Sequence, residues 1–251
     1  MQEYLDNNLL DHFKKLNIKK GDNIVVHADL TRFGIFDKNL TDKIISNLLG
    51  IIGKNGSLIM PSYILGVSNS YLYNITKFTN KTNVSLLSKV FFKNYNVFKS
   101  KSLLHSHIGM GKDSKFLLKT PMNKSFGKNT DFYYMQKNKF KLVLLGCTPQ
   151  QGATYLHHVE AIFGVPYRKW LKIKKNILIN KKKRVIKYEY FARKTDLYKT
   201  NLNYFFDYLK TKNIKIYKVK LRFGFSFCVP LIKLHKITIK ILKQNPYILV
   251  K

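Results

Sequence analysis

Apolar residues at Leu5, Leu9, Leu10, Phe13 and Leu16 recur at the spacing of one helical face, and the unbroken run Ile24-Val25-Val26 just after Gly21 reads as a strand buried on both sides. The alternation continues. A helix is predicted over residues 40–49 with Thr41 as its cap, a turn over 53–56, and a second buried strand over 57–60 closed by Pro61. Beyond residue 84 the pattern gives a helix over 85–94, a short strand over 97–100 and a loop-and-strand region over 103–110. A central strand over 140–146 follows, then a helix opening at Ala153. Strands near 169–173 and 184–191, a helix near 202–210, a strand near 214–221 and a helix over 231–242 complete the chain. Strand and helix in succession predict an α/β fold, a layered arrangement with a central mixed β-sheet flanked by helices. Nothing in the composition marks a linker, so residues 1–251 are read as a single domain. Only 66–84 interrupts the rhythm, a polar irregular stretch of a length suited to a lid or binding loop.

The strand over 140–146 runs into Cys147-Thr148-Pro149-Gln150-Gln151-Gly152 and then into Tyr155-Leu156-His157-His158-Val159-Glu160. Residues three apart on a helix are neighbours, so His157 and Glu160 share a face while His158 points elsewhere. The positive end of the helix dipole disfavours an imidazolium and the carboxylate one turn on favours it, leaving a base poised near neutrality. Glutamate is scarce, with only Glu3, Glu160 and Glu189, so this pairing is not one of many. By spacing alone it also reads as a half-buried polar pair without chemistry.

Composition changes the picture in two ways. Forty-five per cent apolar residues suffices for a sizeable core, and 46 basic against 13 acidic residues give a formal charge of +33. Such a charge points to polyanionic partners, yet the lysines are spread through every segment, alongside abundant Asn and Ile, as a coding bias would spread them. The densest run, Lys181-Lys182-Lys183-Arg184, reads as a hairpin tip, either a solvated turn or a patch for phosphates or lipid headgroups. A nucleic-acid-binding reading rests on basic and aromatic interleaving such as Lys187-Tyr188-Glu189-Tyr190-Phe191, which equally describes the two faces of a strand. A third reading is a cysteine acyltransferase or amidohydrolase, because Cys147 ends a strand ten residues before His157. No phosphate-binding glycine loop, His-Glu-x-x-His helix or Cys/His cluster is present, so neither a P-loop enzyme nor a metal site is expected. The two cysteines read as reduced structural thiols. Without a basic-then-apolar leader or a run of about 20 apolar residues, a cytoplasmic protein is expected, with peripheral membrane contact and a homodimer left open.

Three blocks together resemble the aminoglycoside 3-N-acetyltransferase family, in its branch associated with sugars and surface polysaccharides. They are Gly21 through His27-Ala28-Asp29-Leu30, Gly56 through Pro61-Ser62-Tyr63, and Gly146 through Thr154-Tyr155-Leu156-His157-His158-Val159-Glu160 to Pro166-Tyr167-Arg168. Ser106 and Ser125-Phe126-Gly127 fall in the same order. The resemblance implies transfer of an acetyl group from acetyl-coenzyme A to the amine of an amino sugar, without a metal, with His157 as general base supported by Glu160. It implies cofactor contacts at His27, Ala28, Asp29, Leu30, Thr31, Ser62 and Ser106, and an acceptor pocket lined by Tyr63, His158, Tyr167 and Arg168. The arginine would suit a nucleotide- or lipid-linked diphosphate sugar. The chain departs from the family pattern at Asp29, where a small residue is usual, and at Ser102-Leu103, where the antibiotic-modifying branch has His-Pro. The second departure points to an amino sugar of the cell's own making.

Overall fold

In the computed structural model, which describes residues 2–34, 39–66, 68, 70–74, 84–212 and 214–251 (2–7 by backbone alone), the longest-buried segments form the middle of one sheet. In chain order the elements are α1 (Gln2–Lys15), β1 (Asn23–Ala28), α2 (Leu40–Ile52), β2 (Ser57–Pro61), β3 (Leu72–Asn74), α3 (Leu86–Asn94), β4 (Phe98–Lys99) and β5 (His107–Gly111). After these come α4 (Asp131–Lys137), β6 (Lys141–Leu145), α5 (Pro149–Gly152), α6 (Tyr155–Phe163), β7 (Arg168–Ile179), β8 (Lys182–Arg193), α7 (Leu202–Leu209), β9 (Tyr217–Leu221), β10 (Gly224–Pro230) and α8 (Leu231–Gln244). Seven strands line up as β4-β5-β2-β1-β6-β10-β9, and three more as β3-β7-β8. β1 pairs in parallel with both β2 and β6, with Ala28 opposite Leu145, while β10 runs antiparallel to β6. The mixed sheet and its flanking helices are the α/β architecture that the alternation predicts.

Side-chain alternation splits the core across the two faces of this sheet. Ile24, Val26, Val143 and Leu145 pack against α1, α2 and α3 through Phe13, Leu48 and Phe91. Val25, Leu142 and Leu144 face the other way, toward Phe132 of α4, Leu156 and Val159 of α6, and Leu234 and Leu242 of α8. Strands with both faces covered need apolar side chains at every position, which is why β1 and β6 are unbroken apolar runs. The smaller sheet has its own apolar cluster, in which Tyr73, Ile177 and Tyr188 meet Ile64, Leu103 and Leu104.

Several elements differ from the pattern-based reading. α2 begins at Leu40 with Asn39 in the cap position, and Thr41 is buried inside the first turn, so it does not cap. β7 and β8 are twelve residues each, longer than predicted, and the tip of their hairpin is Asn180-Lys181, both at positive φ. The rest of the basic run, Lys182-Lys183-Arg184, belongs to β8. α4, β3 and β10 had no sequence signal; β10 lies within one continuous apolar stretch with the start of α8. Most of the lid-like stretch at 66–84 falls outside the described residues. No helix among those described is long and apolar enough to cross a membrane.

Besides His107, which is bonded to Asp131, three histidines sit inside this core with little exposure, His27, His105 and His158. Burial is the main reason that each has its pKa lowered to about 3, with nearby His107, His157 and His235 respectively adding to the effect. Above the ordinary histidine range both folded and unfolded chains hold them neutral. Below it the unfolded chain takes up protons that the folded chain refuses, so stability falls as pH drops from about 6.5 toward about 3. With each group worth about 1.4 kcal/mol per pH unit, the urea-unfolding midpoint should fall steeply between pH 7 and pH 5. A midpoint that stays level over that interval would show that these imidazoles are not buried and neutral in solution.

Candidate active site

β6 ends at Gly146, whose φ of 72° and close quarters require glycine: a Cβ there would lie 2.4 Å from the Asp29 carbonyl oxygen. The chain therefore turns against the end of β1 instead of passing over it. Thr148 then caps α5 in a reciprocal arrangement with Gln151, and Pro149 occupies the first turn. α6 follows, closed at its far end by Gly164 in the left-handed conformation. His157 and Glu160 are brought into contact on this helix.

The His157 Nδ1 atom lies 2.6 Å from Glu160 Oε2. A carboxylate can only accept, so Nδ1 carries the proton and donates it, leaving Nε2 unprotonated in the neutral ring. Nε2 has no hydrogen-bond partner among the described residues. Glu160 is completely buried. Burial alone would raise its pKa, but the contact and hydrogen bond with His157, the Arg168 guanidinium and the Tyr167 hydroxyl outweigh it and hold the carboxyl below its usual range. Arg168 Nε approaches Oε2 to 3.0 Å as an ion contact, and the Tyr167 hydroxyl donates to Oε1 at 2.6 Å. Arg168 also comes within 3.3 Å of His157 Nδ1. Since both atoms carry protons in this tautomer, that approach is not a hydrogen bond.

Two clefts meet at α6. One, of about 730 Å³, is lined by His157, Arg168, His105, Phe126, Tyr190 and Phe191 among others. The second, of about 640 Å³, is lined by His27, Ala28, Asp29, Leu30 and Thr31 together with Tyr63, Gln151 and Thr154. Leu65 borders both. Thr154 and His157 are one turn apart on α6 and face one cleft each. In the second cleft Asp29 accepts hydrogen bonds from the Thr31 backbone amide (3.2 Å) and hydroxyl (2.6 Å), capping a short 3-10 turn.

The expected site residues divide accordingly. His27 through Thr31 line one cleft, and His157 and Arg168 the other. Tyr63 lines the cleft of His27, not that of His157, because its hydroxyl is tied at 3.1 Å to His107, which in turn bonds Asp131 at 2.8 Å. Tyr167 is fully buried and holds Glu160 instead of facing an acceptor. His158 points into the core, accepting the Gly127 amide at 3.2 Å. Ser62 and Ser106 are likewise buried, their hydroxyl oxygens 2.7 Å apart, and line neither cleft. Pattern reasoning missed His105, bonded through Nδ1 to Ser125 at 2.9 Å, and the cleft-facing residues Lys175, Arg193, Lys199 and Thr200. Knowing that the β7–β8 hairpin forms a wall would have identified several of these from its alternation.

Cys147 does not join the pair. It lies between the 640 Å³ cleft and a separate apolar cavity of about 350 Å³ near Phe206 and Phe225, and burial, aided by Asp29, pushes its thiol up to about 12. Cys147 is absent from the lining of the cleft that His157 faces, so the structure does not bring this sulfur to that imidazole. Among the described residues no group of three or more His, Cys, Asp or Glu side chains could hold a metal.

The profile of the family described as aminoglycoside 3-N-acetyltransferase matches residues 25–242. Curated protein sequences give no match. Among solved structures, the YokD protein from Bacillus subtilis superposes with a TM-score of 0.82 at 17% identity, covering 96% of this chain and 93% of that one. AAC-IIIb in a binary complex with CoASH gives 0.79 at 15% identity, covering 96% of each chain. AAC-VIa bound to sisomicin gives 0.80 at 15% identity, covering 96% and 97%. At these identities the structural likeness establishes a shared fold.

Replacing Tyr167 with Phe would leave a buried carboxylate oxygen without its donor. The expected loss is about 1–3 kcal/mol of unfolding free energy at pH 7, read by urea denaturation. An unchanged midpoint would mean that the Tyr167–Glu160 bond does not hold the carboxylate in solution.

Proposed function

Since the chain belongs to the aminoglycoside 3-N-acetyltransferase family, and is on that ground an acetyl-coenzyme A-dependent N-acetyltransferase, we propose that it acetylates the amine of an amino sugar destined for a surface glycan, with His157 as general base. The observation that carries this reading is the His157–Glu160 contact at the junction of two clefts. In direct transfer the amine must reach the thioester carbon while the base takes its proton, and the two clefts adjoin at Leu65, which borders both.

The cleft at His27–Thr31 suits the acetyl donor. Thr31, Ser85, Gln151 and Thr154 offer hydroxyl and amide groups along walls formed by Leu30, Leu65, Val84 and Leu86, a combination that fits an aliphatic arm interrupted by amides. AAC-IIIb, which shares the fold, is seen with CoASH. When bound, the coenzyme supplies the acetyl group as a thioester and departs as a thiol. His27, kept neutral by burial, can present an N–H or a lone pair there but not a charge. On the acceptor side, His157 takes a proton from the attacking amine at Nε2. Glu160 keeps Nδ1–H in place and stabilises the imidazolium that results, and Arg168 and Tyr167 keep Glu160 ionised while it does so. AAC-VIa, with the same fold, is seen with sisomicin, an acceptor-type ligand rich in amines.

The test is thiol release from acetyl-coenzyme A in the presence of a panel of amino sugars. His157→Ala should lower turnover by at least ~10²-fold while the affinity for acetyl-coenzyme A, measured by calorimetry, stays within a few-fold. Cys147→Ser should retain turnover. Normal turnover in His157→Ala would overturn the assignment of the base, and loss of it in Cys147→Ser would restore the cysteine reading.

A further inference from the structure

The two clefts differ in charge in a way that composition does not account for. A coding bias toward lysine would place cations on both. Among the described residues the cleft of His27–Thr31 has no Lys or Arg in its lining and one carboxylate, that of Asp29, which Arg32 approaches from outside at 3.6 Å. The cleft of His157 is lined by Arg168, Lys175, Arg193 and Lys199 and by no Asp or Glu among the described residues. Two of these cations are also withdrawn from water: Lys175 is 5% exposed, lying over the Tyr73 ring, and the Arg168 side chain is 10% exposed.

Among the described residues two acids approach this wall, and neither is free to serve Arg193 or Lys199 from within the cleft. Glu160 lies behind it, fully buried and committed to His157, Arg168 and Tyr167. Asp196 reaches Arg193 at 3.5 Å, but its side chain stands wholly in solvent, where such a contact is weak and easily exchanged. Arg193 at the end of β8, whose Nη1 donates to the Tyr198 carbonyl at 3.1 Å, keeps its charge for a ligand, as does Lys199 a few residues on. A planar guanidinium beside an ammonium is a good match to the oxygens of a phosphate ester. Phe126, Tyr190 and Phe191 supply apolar faces between them, suitable for the carbon side of a sugar ring.

We propose that the acceptor is an amino sugar carrying a phosphate ester, with its amine at His157 and its phosphate held by Arg193 and Lys199. This rests on the transferase reading of the same site. An aminoglycoside, a polycation, meets cationic side chains in this cleft and, among the described residues, no lining carboxylate, so this member of the family is built for the opposite kind of acceptor. The phosphate could belong to a nucleotide-linked or a lipid-linked sugar, which present the same group to the protein.

The experiment is calorimetric titration at about 0.15 M salt, where exposed charges more than about 8 Å apart are largely screened. The protein is first titrated with coenzyme A, and the complex is then titrated separately with glucosamine, glucosamine 1-phosphate, UDP-glucosamine, a short-chain polyprenyl-diphosphate glucosamine and gentamicin. Glucosamine 1-phosphate should bind at least ten-fold more tightly than glucosamine and than gentamicin. The double variant Arg193→Ala/Lys199→Ala should lose that ten-fold while its affinity for coenzyme A changes less than two-fold. The control Lys233→Ala/Lys236→Ala, which removes two exposed charges from α8, should leave all affinities unchanged. Tighter binding of the nucleotide or of the lipid form identifies the source of the phosphate.

The proposal is overturned if glucosamine 1-phosphate binds no better than glucosamine or not at all, if gentamicin binds more tightly, or if the control lowers phosphate affinity as much as the cleft variant. Failure to bind coenzyme A in the first titration would instead count against the transferase reading, independently of which acceptor is preferred.

Discussion

Everything at the centre of this protein depends on β1 and β6 lying side by side in parallel. Parallel neighbours share a carboxyl edge, so the chain leaves β1 at Ala28 and leaves β6 at Leu145 at one end of the sheet. The segment after β1 becomes one cleft wall, and the segment after β6 becomes the helix that carries His157 and Glu160. Their closeness has a steric condition. Gly146 must turn within van der Waals reach of the Asp29 carbonyl, and no residue with a side chain fits that corner. The wall at His27–Thr31 and the His157–Glu160 pair are thus placed relative to one another by the ladder of the main sheet, not by loop conformation.

A buried carboxylate is the second demand, and the way it is met explains the local sequence. Glu160 needs compensation for lost hydration, and it receives it from three directions: His157 one turn earlier, Tyr167 and Arg168 just past the helix end. Gly164 makes this possible. In the left-handed conformation it reverses the chain after α6, so residues 167 and 168 fold back onto the helix they have just left. Dyad and support therefore form one short contiguous unit, 157–168, and the support is rigid because two of its members, Glu160 and Tyr167, have no exposure at all.

How much of this could be read from the chain follows from the same physics. Doubly covered strands must be apolar throughout, so β1, β2 and β6 stand out, and glycine-bounded helices between them set the α/β class. The i, i+3 spacing of His157 and Glu160 likewise survives into the structure because a helix preserves it. Orientation across elements does not survive in the same way. Tyr167 and His158 are adjacent in sequence to cleft residues, yet both turn away, Tyr167 to Glu160 and His158 into the packing between α4 and α8, while Tyr63 is drawn by His107 to the cleft of His27. These directions are set by partners far along the chain or by burial, which no local pattern encodes. β10 escaped notice for a simpler reason, since Phe225 through Leu234 is one apolar stretch and only the Pro230 break separates strand from helix. The cationic wall was hidden because lysine is everywhere in this sequence, and only the fold distinguishes a lysine facing a cavity from one facing solvent.

The β7–β8 hairpin deserves a last consideration as an element under selection. Its twelve-residue ladder is held by backbone bonds, which are indifferent to side-chain identity, whereas the floor of the other cleft is built into the middle of the main sheet, where a changed residue disturbs both cores. Substitutions at alternate positions of the hairpin can therefore rewrite the wall of the His157 cleft without touching His157, Glu160 or the cleft at His27–Thr31. A scaffold of this kind lets one cleft change its chemistry while the other stays as it is, and such drift should be concentrated on one face of one hairpin.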